Sequence, residues 1–316
     1  MSPSNRLPQL DGGLFLTDGG LETTLIFHRG IELPLFASFT LLGDPEGERA
    51  LRDYFEPYLA LAGTDDAGFI LDTATWRASP RWAQELGYSL EQLDRLNRRA
   101  VELCEELRSE HESRIAAPIV ISGVIGPQDD GYRPHQLLSA DQAAEYHATQ
   151  VTTFADTAAD LISAITMTYV DEAIGVTRAA AAAEMPAVIS FTVETDGRLP
   201  SGQDLGEAIE QVEAETDSAP AYYMINCAHP THFAGVLDPG APWVAKVRGV
   251  RANASTMSHA ELDEATELDA GDPADLAQRY VALAERLPNL GVLGGCCGTD
   301  DRHVSAIGEA WRRAGR

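Results

Sequence analysis

The chain has 316 residues, of which 44% are hydrophobic, and it carries 23 basic against 49 acidic side chains, for a formal charge of −26. Binding a nucleic acid requires clustered basic residues, so this charge argues against a nucleic-acid partner. No run of about 18 uninterrupted apolar residues could span a bilayer, and the N-terminus lacks the apolar stretch of a signal peptide. We therefore expect a cytoplasmic protein with no membrane partner.

Short apolar runs alternate with longer amphipathic segments from end to end, which is typical of repeated βα units around a parallel sheet. The predicted strands cover residues 13–18, 68–75, 117–124, 160–167, 187–194, 221–228, 242–255 and 290–297. The predicted helices cover residues 47–63, 89–110, 139–159, 170–184, 205–216 and 272–287. The last helix has a strong start signal, because Asp272 can act as N-cap before Pro273.

Eight strand–helix units in roughly 300 residues predict an α/β fold, a single (β/α)8 TIM barrel. An open doubly wound sheet is disfavoured because no strand is followed by a glycine-rich dinucleotide fingerprint. No internal repeat or Pro/Gly/Ser-rich linker divides the chain. We therefore assign one domain to residues 1–316, with a core at about 12–312.

Polar residues gather where the predicted strands end, which in such a barrel is the position of the active site. These residues are Asp18, Thr73, Thr75, Asn226, Cys227, Asn253, Cys296 and Cys297. Four cysteines in a chain without a signal peptide indicate reduced thiols or a metal site rather than a disulfide framework.

Three of the cysteines are predicted to share one rim of the barrel. Cys227 ends the sixth strand, and Cys296 and Cys297 end the eighth. Adjacent side chains of a strand face opposite ways, so we expect Gly294 and Gly295 to break the strand and let both thiols face one ion. Three thiolates with an open fourth position predict a catalytic Zn²⁺ site. A strained vicinal disulfide or unconnected buried cysteines are the alternatives.

Other residues with metal-ligating groups fit the site less well. His229 and His232 follow Cys227 closely, but loop histidines more often lie outside the ligand set or at the surface, and the thiols already supply three ligands. Cys104 has helical spacing within RRAVELCEELRS, so we interpret it as a small buried hydrophobic residue.

The segments DGGLETTL, INCAHP and GGCCGTDDRHV follow the first, sixth and eighth predicted strands. Together they resemble the homocysteine S-methyltransferase family, and the resemblance extends from about Leu14 to Ala310. It implies a (β/α)8 barrel whose matching cysteines, Cys227, Cys296 and Cys297, bind zinc. It also implies transfer of a methyl group from S-methylmethionine, S-adenosylmethionine, betaine or a methylated folate-type donor to homocysteine, which gives methionine.

The resemblance also implies two small-molecule substrates, a thiol acceptor and a methyl donor. It implies that Asp18, Gly19 and Gly20 contact the amino-acid portion of the acceptor, although Asp-Gly-Gly is also a strong turn signal. Asn226 and Asn253 are expected to shape the rim around the metal. Thr75 and Thr166 are further predicted substrate contacts. The sequence does not identify the methyl donor, the pathway or the oligomeric state, for which a homo-oligomer is one alternative.

One position departs from the family pattern. The family usually presents a Glu after the fourth strand to hold the acceptor's ammonium group, and this chain has Ile165 there. Losing such a charge-assisted hydrogen bond costs about 1.5–3 kcal/mol. Either Glu22, Asp72 or Glu194 compensates, or the acceptor is a thiol other than homocysteine. Arg77, in TATWRAS, is a further departure, because a cationic donor would be repelled by it.

Two further functional hypotheses stay open, and the missing Glu favours the first. One is a non-catalytic barrel that binds zinc and thiols without turnover. The other is a barrel enzyme with redox-active cysteines, whose activity would survive chelators.

The acidic composition itself leads to a prediction. Carboxylates spread over exposed helix faces keep a protein soluble at high salt, where screening removes their mutual repulsion. We expect the melting temperature to rise between dilute and molar KCl. A melting temperature that stays constant or falls would show that the acidity is an ordinary solvated surface.

Overall fold

The computed structural model describes residues 7–115 and 117–316, in which eight parallel strands close into a barrel. Each strand pairs with its neighbour in the chain, and the last pairs with the first. The strands are β1 (Phe15–Leu16), β2 (Gly68–Asp72), β3 (Ile119–Ile125), β4 (Leu161–Met167), β5 (Ala187–Phe191), β6 (Tyr222–Asn226), β7 (Val247–Ala252) and β8 (Val292–Gly295). The predicted (β/α)8 barrel is confirmed.

Helices follow the strands around the outside. They are α1 (Leu21–Thr23), α2 (Pro45–Asp65), α3 (Pro80–Glu85), α4 (Leu90–His111), α5 (Ala140–Ala155), α6 (Val170–Ala182), α7 (Leu205–Glu215), α8 (Pro230–Phe233), α9 (His259–Glu264), α10 (Pro273–Leu283) and α11 (Asp301–Arg313). Asp272 caps α10 as predicted, because its side chain accepts from two backbone N–H groups of the first turn. The segments predicted to be helical did not include α11. Within the described residues, no helix has the length and apolar character needed to cross a membrane.

All eight strands are shorter than the sequence pattern predicts, and the seventh and the first lose the largest share of their predicted length. The seventh begins at Val247 because Pro242–Lys246 forms a 3-10 helix, in which the proline occupies the first position. The first is reduced to two residues because Gly12 and Gly13 have φ values of 97° and 93°, outside the extended region. Six of the strands also end two or three residues before their predicted ends, so the predicted site residues Asp18, Cys227 and Cys296 follow the strands and are not part of them.

Apolar residues form two packed layers. The outer layer joins the strands to the surrounding helices. The inner layer fills the barrel with side chains that include Phe15, Val120, Val188 and Val292. Leu7, which is 3% exposed, belongs to this inner layer and lies at its N-terminal end. The barrel is therefore a packed core and not a pore.

The hydroxyl group of one tyrosine in α10 forms hydrogen bonds with both β7 and β8. The Tyr280 hydroxyl accepts from the Ala252 N–H at 2.8 Å and donates to the Gly294 carbonyl at 2.6 Å. Tyr280→Phe leaves both buried backbone groups without this partner. We expect it to lower the free energy of unfolding by about 1–3 kcal/mol in chemical denaturation.

Tyr88→Phe is the matched control. The Tyr88 ring packs edge-on against Phe39 with centroids 5.6 Å apart, and its hydroxyl makes no hydrogen bond within residues 7–115 and 117–316. Removing this hydroxyl should change the free energy of unfolding by less than about 0.5 kcal/mol. Equal effects of the two substitutions would show that the Tyr280 hydroxyl does not stabilise the junction of β7 and β8.

Candidate active site

The three cysteines predicted to form one site lie together at the C-terminal end of the barrel. Cys227 follows β6, and Cys296 and Cys297 follow β8. The Cys227 Sγ atom lies 2.9 Å from Cys296 Sγ and 3.8 Å from Cys297 Sγ, and all three sulfurs lie within 4.8 Å of one another. Cys104 lies apart, buried in α4 as the sequence pattern predicts. These distances exclude the unconnected arrangement of the cysteines.

The glycines before the thiol pair act differently from the prediction. Gly294 and Gly295 are the last residues of β8 and do not break it. A Cβ atom on Gly294 would lie 1.9 Å from Thr17 Oγ1, and one on Gly295 would lie 2.0 Å from Thr299 Oγ1. The glycines are therefore needed for close packing. The chain leaves the strand only at Cys296, whose carbonyl accepts from the Thr299 N–H and hydroxyl.

The backbone at Cys227 has an uncommon conformation that its neighbours hold in place. Its φ is 56°, in the left-handed region that few residues other than glycine adopt. The Cys227 carbonyl accepts from Asn253 Nδ2 at 2.9 Å and contacts His259 Nε2 at 2.8 Å. Because the carbonyl is fixed by two buried side chains, the thiol is aimed at the other two sulfurs.

Tyr132 and His259 complete the surroundings of the sulfurs. The Tyr132 hydroxyl lies 3.5 Å from Cys227 Sγ and 3.6 Å from Cys297 Sγ, and its ring stacks on His259 with centroids 4.1 Å apart. Tyr132 lies in a loop and His259 is the first residue of α9, so their sequence positions do not reveal their proximity to the thiols. Burial raises the pKa of Tyr132 well above its usual range, which keeps its hydroxyl protonated.

The thiols share charge among themselves. Hydrogen bonds from Cys227 and Cys297 hold the pKa of Cys296 well below its usual range, and the same contacts raise the pKa of Cys227. The three thiols are therefore electrostatically coupled at this end of the barrel.

A buried arginine lies near the thiols and forms two ion pairs. Arg251, in β7, pairs with both Asp18 and Asp72, and its Nε donates to the Gly295 carbonyl at 3.1 Å. Tyr54 also donates to Asp18, at 2.9 Å. Burial raises the pKa of Asp18 to about 7, although Arg251 lowers it. The sequence pattern indicated no role for Arg251, although its place near the end of a strand, two residues before Asn253, is a signal for the site.

Two adjoining spaces meet at the sulfurs. The first, which we name the inner cavity, is lined by the three cysteines and by Asp18, Gly19, Gly20, Glu22, Asp72, Thr75, Ile165, Thr166 and Arg251. The second, which we name the outer groove, shares Cys227 and Cys297 and is lined by Phe27, Phe36, Trp76, Arg77, Asp130, Tyr132, Asp263, Glu267 and Asp269. The two spaces therefore adjoin at the thiols of Cys227 and Cys297.

The residues predicted to contact substrate divide between these spaces and the structure behind them. Asp18, Gly19, Gly20, Thr75 and Thr166 line the inner cavity. Asn226 is fully buried, where it accepts from the Thr166 N–H at 3.0 Å and from Ser190 Oγ at 2.6 Å. Asn253 holds the Cys227 carbonyl. The two asparagines thus position backbone and side chains at the rim.

The loop histidines lie outside the sulfur cluster. His229 Nδ1 contacts Thr231 Oγ1 at 2.8 Å, and His232 Nε2 contacts the Thr256 carbonyl at 3.0 Å. Their placement agrees with the expectation that neither is a ligand.

Arg77 makes contacts that reduce its repulsion of a cation. Its guanidinium stacks over Trp82 at 3.7 Å and over Trp76 at 4.5 Å, and it pairs with Asp130 at 3.5 Å. A charge held between two rings and a carboxylate exerts a weaker field on the outer groove, where further carboxylates lie.

A closed (β/α)8 barrel with three thiols at the C-terminal ends of its strands has its reactive groups where enzymes of this fold have their active sites. A family model described as homocysteine S-methyltransferase matches residues 15–311, and the chain belongs to this family. It is a methyltransferase that acts on thiols.

Several relatives are similar over nearly their full length. The chain is 27% identical to selenocysteine Se-methyltransferase from Brassica oleracea var. italica, covering 94% of this chain and 88% of the relative. It is 24% identical to homocysteine S-methyltransferase 2 from Arabidopsis thaliana, covering 94% and 92%. The oxidised form of the Escherichia coli homocysteine methyltransferase MmuM has a TM-score of 0.74 at 22% identity, covering 97% and 99%, and the metallated form has 0.72 at 21%, covering 96% and 97%. These structures show the shared fold.

The contacts of Cys227 lead to a prediction for metal binding at the thiols. Asn253→Ala removes one of the two side chains that fix the Cys227 carbonyl, so the thiol loses its orientation. Removing partners of this kind typically costs 10- to 100-fold in metal affinity, and we expect a loss of about that size for Zn²⁺. Competition with a chromophoric chelator measures the affinity.

The control is Asn289→Ala, because Asn289 also donates to a backbone carbonyl, that of Ala245 at 2.6 Å, but is exposed on another part of the barrel. Its Zn²⁺ affinity should equal that of the unmodified protein. Equal affinities for both variants would show that the backbone alone orients Cys227.

Proposed function

We propose that this protein is a zinc-dependent S-methyltransferase that moves a methyl group from a sulfonium or quaternary ammonium donor to homocysteine or a related thiol. The observation that carries the proposal is the meeting of Cys227, Cys296 and Cys297 Sγ atoms at the junction of the inner cavity and the outer groove. Membership of the homocysteine S-methyltransferase family supports the same reaction class.

The sulfur positions suit a zinc ion. Zinc bound tetrahedrally by thiolates at about 2.3 Å places neighbouring sulfurs about 3.8 Å apart. The separation of Cys227 and Cys297 is 3.8 Å, and that of Cys227 and Cys296 is 2.9 Å, so binding requires the second pair to separate. The donor set of three thiolates and no fourth cysteine is the kind that leaves a position open for substrate. The solved E. coli relative includes a metallated form.

Zinc held by these thiolates would bind the acceptor thiol and favour its deprotonated, nucleophilic form. The residues of the chain do the rest. Asn253 and His259 aim Cys227, while the packing of Gly294 and Gly295 aims the other two sulfurs. The inner cavity receives the body of the acceptor, so that its sulfur reaches the cluster.

The outer groove has the character of a site for a cationic donor. It combines the rings of Phe27, Phe36, Trp76 and Tyr132 with the carboxylates of Asp130, Asp263, Glu267 and Asp269. Aromatic faces and carboxylates both attract sulfonium and quaternary ammonium groups.

The transfer itself needs no proton at the methyl group. The acceptor sulfur forms a bond to the methyl carbon while the bond from that carbon to the positively charged sulfur or nitrogen of the donor breaks. Its electron pair stays with the leaving atom, which departs neutral. This balance agrees with two spaces that, within residues 7–115 and 117–316, are lined by thiols and charged side chains and by no histidine.

The proposal is tested by methyl transfer and metal content together. We expect purified protein to hold about one zinc per chain and to methylate homocysteine with at least one of S-methylmethionine, S-adenosylmethionine, betaine and dimethylsulfoniopropionate. Selenocysteine belongs in the acceptor panel because a relative carries that activity in its name. Mass spectrometry identifies the products, in low and in molar KCl.

Substitutions of the cysteines separate the site from the scaffold. Cys227→Ala, Cys296→Ala and Cys297→Ala each remove one ligand, so we expect loss of most bound zinc and at least a 100-fold fall in kcat/KM. Cys104→Ala, at a buried cysteine of α4 far from the cluster, should keep both. Methyl transfer that persists in the three variants, or in protein stripped by a chelator, would rule out a zinc-dependent reaction.

A further inference from the structure

The inner cavity has three carboxylates but one guanidinium. Asp18 and Asp72 both pair with Arg251. Glu22, in α1, stands outside this ion-pair cluster, where its carboxylate accepts from Ser38 Oγ at 2.8 Å. Within residues 7–115 and 117–316, no basic side chain lies in salt-bridge contact with Glu22. The lining of the cavity therefore has more carboxylates than cations, and Glu22 is the carboxylate outside the ion pairs.

The surroundings of Glu22 make this charge costly. The side chain is partly buried, and it lines the same cavity as the three cysteines. Burial raises the pKa of Glu22. A carboxylate in such a place is stabilised when a ligand brings a positive charge to it.

We propose that Glu22 binds the ammonium group of the thiol acceptor, and that the acceptors of this enzyme are therefore amine-bearing thiols. The inference rests on the proposed function, because it concerns the acceptor of that reaction. The thiol of such a molecule reaches the sulfur cluster while its ammonium group pairs with Glu22, since both lie in the one cavity.

The other carboxylates near the thiols have partners of their own. Asp18 and Asp72 share the guanidinium of Arg251. Glu194 contacts His259 Nδ1 at 3.1 Å, and it is not part of the lining of the inner cavity. The position after β4 offers no charge, because Ile165 presents an apolar side chain to the cavity. Of these four carboxylates, Glu22 is the one that both faces the acceptor and lacks a cation.

The experiment compares three thiols that differ in one group each. Homocysteine has both charged groups, 3-aminopropanethiol lacks the carboxylate, and 4-mercaptobutanoate lacks the ammonium. We expect the enzyme to prefer the two amine-bearing thiols over 4-mercaptobutanoate by about 10- to 100-fold, in kcat/KM and in Kd from calorimetry, as a charge-assisted hydrogen bond allows.

Glu22→Gln keeps the size of the side chain and an oxygen for Ser38 but removes the charge. We expect the preference for amine-bearing thiols to fall to within about threefold, with KM raised for them and little changed for 4-mercaptobutanoate. Glu22→Asp, which keeps the charge, should retain part of the preference. Glu194→Gln is the matched comparison and should keep the preference of the unmodified enzyme. Zinc content and melting temperature of each variant show whether the fold and metal site are intact.

The outcomes separate this inference from the proposed function. If no thiol is methylated but calorimetry shows a preference that Glu22→Gln removes, the reaction assignment fails and the ammonium site stands. If thiols are methylated and Glu22→Gln keeps the preference, the reaction stands and Glu22 is not the ammonium site. Loss of the preference in Glu194→Gln alone, or no preference in the unmodified enzyme by either measurement, also overturns the inference.

Discussion

The end of β7 is the spacer that brings three sulfur atoms to one place. The Cys227 N–H donates to the Arg251 carbonyl at 3.0 Å, and on the other side the Cys296 N–H donates to the Ala252 carbonyl at 2.8 Å. The Ala254 N–H then donates to the Cys297 carbonyl at 3.0 Å. Because one stretch of backbone is bonded to all three cysteines, the ladder of the sheet sets the separation of the sulfurs. Side-chain packing only completes what this geometry begins.

The same strand, β7, also contains Arg251, the buried positive charge of the site. Arg251 points its guanidinium at Asp18 and Asp72, which come from the ends of β1 and β2, so the buried ions join the far side of the barrel to β7. Breaking a buried ion pair by removing one partner typically costs about 3–5 kcal/mol, because the remaining charge is uncompensated. The arginine therefore constrains the barrel mouth as well as its electrostatics. It also explains why Asp18 and Asp72 are poorly placed to serve as free anions for a substrate.

The sequence was sufficient for the features that depend on strand periodicity. The barrel and the meeting of Cys227 with Cys296 and Cys297 follow from alternating βα units, because parallel strands end at one rim. The structural reason for Gly294 and Gly295 did not follow, since it depends on Thr17 and Thr299, which are close to them only in the folded chain.

Residues that approach the sulfurs from loops were the main omission. Tyr132 lies in the segment after β3, and His259 begins the short helix α9 after β7. No period or spacing relates either residue to Cys227, although folding stacks their rings beside it. Arg251 is intermediate, because its place in a strand was predictable and its two partners were not. A pattern of local periodicity does not indicate which side chains come into contact when they are far apart in the sequence.

This division between strand ends and loops has a consequence for how substrate choice can differ among proteins of this fold. The sulfur cluster depends on backbone bonds along β6, β7 and β8, so it tolerates little change. The side chains that face the body of the substrate, such as Ile165 and Glu22, come from different elements. They share the inner cavity with the sulfur cluster. A carboxylate absent after β4 can therefore be replaced by one on α1 without moving a sulfur. The charge required by an ammonium group is then supplied from the opposite part of the barrel mouth, and the acceptor must be turned to meet it while its thiol stays in place.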